Sequence, residues 1–493
     1  MDKIEELIEK KHNIRQGGGQ DKLEGQHSQN KLTARERINL LLDEGSFIEI
    51  GTFLKDSTVI AGYGTSQGKL VYVYSEDYTK NGGLMNKASG EKIANIMEMA
   101  LKMGAPLVKI LDSAGGDIKD GLNTLLAYSK ITNLTAKLSG VVPQISLVLG
   151  HCAGISAVTA AMSDFTIISK ETGRLYVNPA LDLSNKEEKF IGVSQYGEGE
   201  KVLNNGGATI ACDNDKEVLA MAKKIVQLMP SNNMEKPFIE NEDNKGFIQE
   251  SLDEMCKSNK INKRHLSMEI FDDNSYIELF KSDEDVVLTT LGKINGLSVG
   301  VMVVAPEHNE YLNIKSLDRL TRFVKLCDSY HIPLVTFVDA EGFSSTLKEE
   351  ENGLVLSIAK LTYSLAEATT PKVAIIVGKA YGSAYVTLSN KEGAFDMVYA
   401  WPNAKIAVTT PEKIIMALNR DEITGASNPK DKEKEVITSL ETEITSPYKA
   451  AELGFIDDII VPKETRARLF MTLDMLQTKK VIKYPKNHGT ILI

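Results

Sequence analysis

Three segments of this chain recur in the same order some 228 residues further on. GTSQGKLVYV (64–73) lines up with GKINGLSVGV (292–301), pairing Gly64 with Gly292 and Gly68 with Gly296 at an offset of 228. APLVKILDSAGG (105–116) lines up with IPLVTFVDAEGF (332–343) at 227, pairing Pro106 with Pro333, Asp112 with Asp339 and Gly115 with Gly342. VPQISLVLGHCAGISA (142–157) lines up with TPKVAIIVGKAYGSAY (370–385) at 228, pairing Pro143 with Pro371, Gly150 with Gly378 and Gly154 with Gly382. Pro-strand-Gly punctuation is common in α/β chains and explains any one match, but it does not set the spacing between three. The chain therefore reads as two copies of one fold.

LVKIL, ISLVL, LVTFV and VAIIV are apolar at nearly every position and too short for helices, the pattern of strands covered on both faces. Helix-period stretches lie between them: in EKIANIMEMALKM, Ile93, Ile96, Met97 and Ala100 share a face. Alternation of the two predicts layered α/β domains. A chain of 493 residues also exceeds what one hydrophobic core normally serves. The expected divisions are a helical arm and connector over 1–40, a first domain over 41–255 and a second over 256–493. The polar stretch 241–263 marks the boundary, and 419–435 reads as a charged insertion or loop. Gly17, Gly18 and Gly19 follow no strand and open no phosphate-loop motif, so they are expected to be a flexible hinge.

The formal net charge of −10 argues against nucleic acid as a partner. Four cysteines, Cys152, Cys212, Cys256 and Cys327, lack metal-ligand spacing, so no metal is expected. The charged N-terminal segment has no secretory pattern, which predicts a cytoplasmic protein. Residues 140–162 are apolar but broken by Pro143, Gln144, Gly150, His151 and Gly154, whereas a membrane span needs roughly 20 predominantly apolar residues. They are expected to form strand, turn and helix. Lys102, in a Lys-Met pair that imitates a biotinylation site, falls in a helical pattern instead of a hairpin.

Chemistry points to the turns. In both halves a strand runs into Gly, a short turn, a second Gly and small residues, which leaves unpaired N–H groups of a helix start above the sheet edge. Close helix–sheet packing also calls for small residues. Repetition of the turn in both halves, each beside a second turn (113–116 and 340–343), favours two amide sites for two carbonyl-bearing ligands. Asp112 and Asp339 are expected to cap the turns that follow them. His151 faces Lys379 across the repeat, so imidazole is not needed in both copies, and no Ser-His-Asp pattern accompanies it.

KLTARERINLLLDEGSF (31–47), LDSAGGDIKDG (111–121), GVVPQISLVLGHCAG (140–154), RFVKLCDSYHIPLVTFVDAEGF (322–343), AEATTPKVAIIVGKAYGSAY (366–385), YAWPNAKIAV (399–408) and the closing KNHGTILI (486–493) resemble the carboxyltransferase family of biotin-dependent acyl-CoA carboxylases and decarboxylases. The family includes propionyl-CoA carboxylase β subunits and the α subunits of methylmalonyl-CoA and glutaconyl-CoA decarboxylases. The resemblance implies a tandem of crotonase-like domains, assembled as a hexamer, with acyl-CoA on the first domain and carboxybiotin on the second. It implies carboxyl transfer between biotin on a separate carrier protein and a short-chain coenzyme A thioester, through biotin and thioester enolates held by backbone amides. A biotin carboxyl carrier protein is then a partner, joined by a biotin carboxylase or a membrane decarboxylase subunit.

The resemblance places the amide pairs at Gly154 and Ile155 and at Ser383 and Ala384. Substrate contacts fall at Ala114, Gly115, Gly116, Gly342, Phe343 and Val386. Departures include Asp117 for an Arg, Ser344-Ser345-Thr346 for x-Pro-Gly, Leu356-Ser357 for Arg-His and Val386 for an acid. They bear on the acyl group, and they keep open the alternative of a low-activity structural or regulatory paralogue assembling with active subunits. A crotonase-like hydratase or isomerase is disfavoured, because neither candidate site has paired Glu residues.

Overall fold

A computed structural model describes residues 2–237, 245–281, 286–305, 311–443, 445–482 and 484–490. Residues 241–244 of the expected boundary stretch and the last three of KNHGTILI lie outside them. The chain forms two compact units, Met1–Lys236 with Phe280–Ser282, and Pro237–Leu279 with Asp283–Ile493.

The first unit is built on a seven-stranded sheet ordered Ile48–Glu49, Val59–Ser66, Lys69–Glu76, Leu107–Leu111, Gln144–Val148, Phe165–Ser169 and Ile210–Cys212. A two-stranded ribbon, His151–Ala153 with Arg174–Tyr176, extends beyond it. The leading strands are antiparallel and those from Lys69–Glu76 onward run parallel. The parallel strands Leu107–Leu111, Gln144–Val148 and Phe165–Ser169 are buried along their length, as their near-continuous apolar pattern requires.

The helix Lys87–Met103 starts where the Asn86 side chain accepts the Ser89 N–H and stops at Gly104 in the left-handed region. Its face of Ile93, Ile96, Met97 and Ala100 is fully buried, as the periodicity predicts. It packs against the helix Leu122–Leu138 so closely that a Cβ on Gly90 would stand 2.3 Å from that of Ala127. Lys102 lies within this helix, as expected.

The second unit repeats the plan: Ile277–Leu279, Val287–Ile294, Leu297–Val304, Leu334–Ala340, Lys372–Tyr381, Met397–Ala400 and Asp458–Ile459, with Lys405–Ala407 also on Lys372–Tyr381. Register is conserved with order. Tyr72 pairs with Leu107 and Leu107 with Gln144, while Gly300 pairs with Leu334 and Leu334 with Lys372. Since a one-residue slip would turn every side chain to the other face, matched registers bear out a duplication of the whole sheet. The clasp on the leading hairpin repeats too: Asp43 accepts the N–H groups of Gln67 and Gly68, and Asp272 those of Asn295 and Gly296.

Three expectations are revised. The change of unit comes at 236/237, ahead of the 255/256 expected, because Leu252 and Met255 of the helix Glu250–Ser258 join the second core. The glycines near residue 18 form a tight crossing instead of a hinge: Gly18 N–H donates to Thr79 Oγ1 (3.0 Å), and a Cβ there would lie 1.9 Å from Thr79 O. Residues 419–435 are largely helical, within Arg420–Thr424 and Pro429–Glu443, because Ile423, Val436 and Ile437 pack with Ile414 and Ile415. Residues 140–162 do form strand, turn and helix, and no described helix is long and apolar enough to cross a membrane.

Candidate active site

In the first unit two turns meet at the C-terminal edge of adjacent parallel strands. After Leu107–Leu111 the chain enters the turn 113–116; after Gln144–Val148 it passes His151–Ala153 and Gly154 into the short helix Ile155–Ala161. Ser113 N–H donates to His151 O (2.8 Å), tying the turns together. Gly154 has φ 59°, ψ −129°, a conformation open only to glycine.

The amides divide into used and unused. Ala114 N–H goes to Gly82 O, Gly115 N–H to Ser113 Oγ, Asp117 N–H to Met85 O and Gly154 N–H to Tyr176 O. The last corrects the expected pair: Gly154 supplies the bend, and its N–H is spent on the ribbon. Among the described residues none accepts from Gly116 or Ile155, and these two amides stand on the two turns. A Cβ on Gly116 would stand 2.8 Å from the Thr124 methyl carbon, so a side chain there would require Thr124 to shift, and the Tyr128 ring borders the same spot. Burial pushes the Tyr128 phenol up to about 12, which keeps it neutral.

Beneath these turns lies a buried ionic network. Arg37, without exposed surface, donates to Asp215 Oδ2 (2.9 Å), Asp112 Oδ2 (2.9 Å) and Leu149 O (2.8 Å). Asp112 also accepts from Lys31 Nζ (2.8 Å) and Gln26 Nε2 (2.9 Å). The expected turn cap at Asp112 is thereby corrected: its carboxylate faces the N-terminal helices. Asp112 N–H donates to Glu76 Oε2 (2.9 Å), and burial, reinforced by the Asp112 charge, raises the Glu76 carboxyl to about 8. Residue types on the helix Ala34–Leu41 carried a signal for this, since Arg37 shares a buried face with Ala34, Ile38 and Leu41. A charge at such a position needs partners.

His151 is half-buried, its Nδ1 3.1 Å from Tyr176 Oη. Burial and then the Lys31 ammonium lower its pKa, favouring neutral imidazole.

The second unit repeats the turns with other surroundings. The bridge between Leu312 and Phe343 and the bond from Ser344 N–H to Leu312 O copy Met85 with Gly116 and Asp117 with Met85. Gly382 has φ 50°, and Val408 O lies 2.7 Å from where a Cβ on it would stand; it opens the helix Gly382–Leu388 as Gly154 opens its counterpart. No described residue accepts from the amides of Phe343, Ser383 or Ala384. Gly342 lies in the turn beside Phe343, and Val386 is exposed on the helix.

Asp339 does not cap its turn either; it accepts Lys379 N–H (2.8 Å) on the next strand. Burial raises the Asp339 carboxyl against the lowering effect of that bond. The Lys379 ammonium pairs with Glu341 (2.5 Å), which outweighs its burial and raises its pKa.

Residues 25–491 match the carboxyl transferase domain family. The chain is 34% identical over 510 residues to the propionyl-CoA carboxylase carboxyltransferase subunit of Haloferax mediterranei, covering 99% of each. It is 34% identical to the methylmalonyl-CoA decarboxylase α subunit of Veillonella parvula, covering 100% of this chain and 99% of that one. Among solved structures, the transcarboxylase 12S core, a hexamer with methylmalonyl-coenzyme A and methylmalonic acid bound, matches with a TM-score of 0.95 at 33% identity, over 99% of this chain and 97% of that one. The tandem crotonase-like α/β fold expected from the sequence is the fold found.

Proposed function

Because the chain belongs to the carboxyl transferase family, we propose that it moves a carboxyl group between biotin on a separate carrier protein and a short-chain acyl-CoA, with the thioester held in the first unit and biotin in the second. The observation that carries this reading is the repeated pair of turns with uncommitted amides, Gly116 and Ile155 in one unit and Phe343, Ser383 and Ala384 in the other. Each set suits a carbonyl oxygen that gains negative charge, and preorganised backbone donors stabilise such charge without side-chain catalysis. Gly154 and Gly382 set the bends, while Ala114, Gly115, Gly342 and Val386 line the approach to them.

Biotin, when bound, supplies the carboxyl-carrying ureido group. The protein's part is to orient both oxygens, exclude water and leave proton transfer to the ligands, consistent with a neutral His151 in one copy and the Lys379–Glu341 pair in its place in the other. We also propose assembly into a hexamer like the transcarboxylase core. Supporting this, the helix Leu122–Leu138 exposes Leu122, Leu125 and Leu126 in the first unit, and Leu354–Glu367 exposes Val355 and Leu356 in the second, apolar side chains that an interface would bury.

The test mixes the purified protein with a biotinylated carrier and, separately, malonyl-, methylmalonyl- and glutaconyl-CoA. Biotin-dependent loss of carboxylate from one of them is expected. Inactivity throughout, with intact oligomers, would favour the structural paralogue.

A further inference from the structure

The two units solve one packing problem in two ways, and the difference lies under the turns. The helices Ala34–Leu41 and Lys263–Ile270 are equivalent: each has eight residues, begins at a side-chain cap (Thr33 accepting Glu36 N–H, Asn262 accepting His265 N–H) and leads into a hairpin-clasping Asp43 or Asp272. The fourth residue is Arg37 in one and Leu266 in the other, both without exposed surface. The fold thus closes equally well over an apolar side chain. Replacing buried ion pairs by apolar residues is often neutral or stabilising, so stability does not account for the network in the first unit.

Its partners point to another role. Arg37 binds the side chain of Asp112, the residue before the turn 113–116, and the carbonyl of Leu149, the residue before Gly150 and His151. Lys31 and Gln26 hold the same carboxylate, and Asp215 holds Arg37 from behind while accepting from Leu32 N–H and Thr172 Oγ1. A Cβ on Gly150 would fall 1.8 Å from Asp112 Oδ1, so the backbone of the second turn is pressed onto the network.

We infer that Arg37, Asp112 and Asp215 are positioning residues that fix the spacing of the Gly116 and Ile155 amides for the acyl thioester, an inference that rests on the acyl-CoA reading of the first unit. A planar guanidinium with several fixed donors sets such a distance more rigidly than an ammonium or an alkyl group. In the second unit Asp339 accepts only a neighbouring backbone N–H among its described hydrogen bonds, and those turns are tied by the partly exposed Lys379–Glu341 pair instead of a buried guanidinium.

The test uses the full chain unaltered, as Arg37→Lys, and as the triple variant Arg37→Leu with Asp215→Asn and Lys31→Met, which keeps Asp112 in place while removing its guanidinium and ammonium braces. Binding of propionyl-CoA is measured by calorimetry, and KM and kcat are measured for methylmalonyl-CoA with free biotin as acceptor. Both variants should keep oligomer size and the KM for biotin, while acyl-CoA affinity or kcat falls about tenfold or more, since small misplacements of catalytic groups have effects of that order.

Folded variants with unaltered acyl-CoA Kd, KM and kcat would overturn the inference, as would a loss confined to the biotin KM. If the triple variant does not fold, Arg37→Lys decides by the same readouts. An unaltered protein that neither binds propionyl-CoA nor turns over would sink the proposed function and this inference with it.

Discussion

The two units share strand order and register but bury different chemistry. At three positions matched through the sheet or the helix caps, the first unit has Arg37, Glu76 and Lys109 where the second has Leu266, Val304 and Thr336, all buried. The second unit also buries a guanidinium, Arg466, but uses it on Asp272 and the hairpin clasp, away from the turns. The two copies keep the sheet register and the turn glycines Gly150/Gly378 and Gly154/Gly382, whereas the polarity of their cores differs.

The largest expected effect that would sharpen this contrast is on stability. Arg37→Leu alone leaves Asp112 and Asp215 without their guanidinium and should cost about 3–5 kcal/mol in denaturant unfolding. Adding Asp215→Asn should recover part of it, because Asp112 keeps Lys31 as its cation. A single variant as stable as the parent would mean that the network carries no buried charge worth the name.

Smaller effects should appear as pH dependence, with opposite signs at two sites. Glu76 is raised in the folded state to about 8, so the native protein holds a proton that the unfolded chain releases, and this contribution to stability declines as pH rises from the ordinary carboxylate range through 8. Glu76→Gln keeps an acceptor for Asp112 N–H and should remove that decline. Lys109 donates to Ser163 Oγ (3.2 Å) and Thr135 Oγ1 (3.4 Å), and burial holds it down to about 7. The unfolded chain then binds more protons above 7, so stability attributable to this site rises from there toward the ordinary lysine range, and Lys109→Met should flatten that rise. Val304→Ala and Thr336→Val in the second unit should leave the pH profile unchanged, as thermal melts across pH would show.

Much of this architecture was legible in the sequence, because strands buried on both faces and glycines at fixed spacing leave a pattern that survives duplication. The offset between Gly154 and Gly382, with positive φ in both, is the plainest case. What the pattern does not carry is which amide is already used. Gly154 was a natural candidate, yet its N–H goes to Tyr176 O on a ribbon strand that sequence neighbours do not announce. Gly116 was legible as a contact but not as a donor. The roles of Asp112 and Asp339 were hidden for a similar reason, since their partners, Arg37 and Lys379, come from residues 75 and 40 positions away. Leu252 and Met255 show the same limit at the domain boundary, where a polar stretch surrounds apolar residues that belong to the second core.

The most direct test of the claim that backbone amides, and not side chains, carry the chemistry compares two variants in one carboxyl-transfer assay. Ser383→Pro removes one second-unit donor in the first turn of a helix, where proline is tolerated. His151→Ala removes the one imidazole beside the first-unit turn. With circular dichroism and oligomer size unchanged, Ser383→Pro should lower turnover on the order of 10²- to 10³-fold, and His151→Ala by about tenfold or less. A folded Ser383→Pro that retains activity, beside a His151→Ala that loses it, would contradict the account.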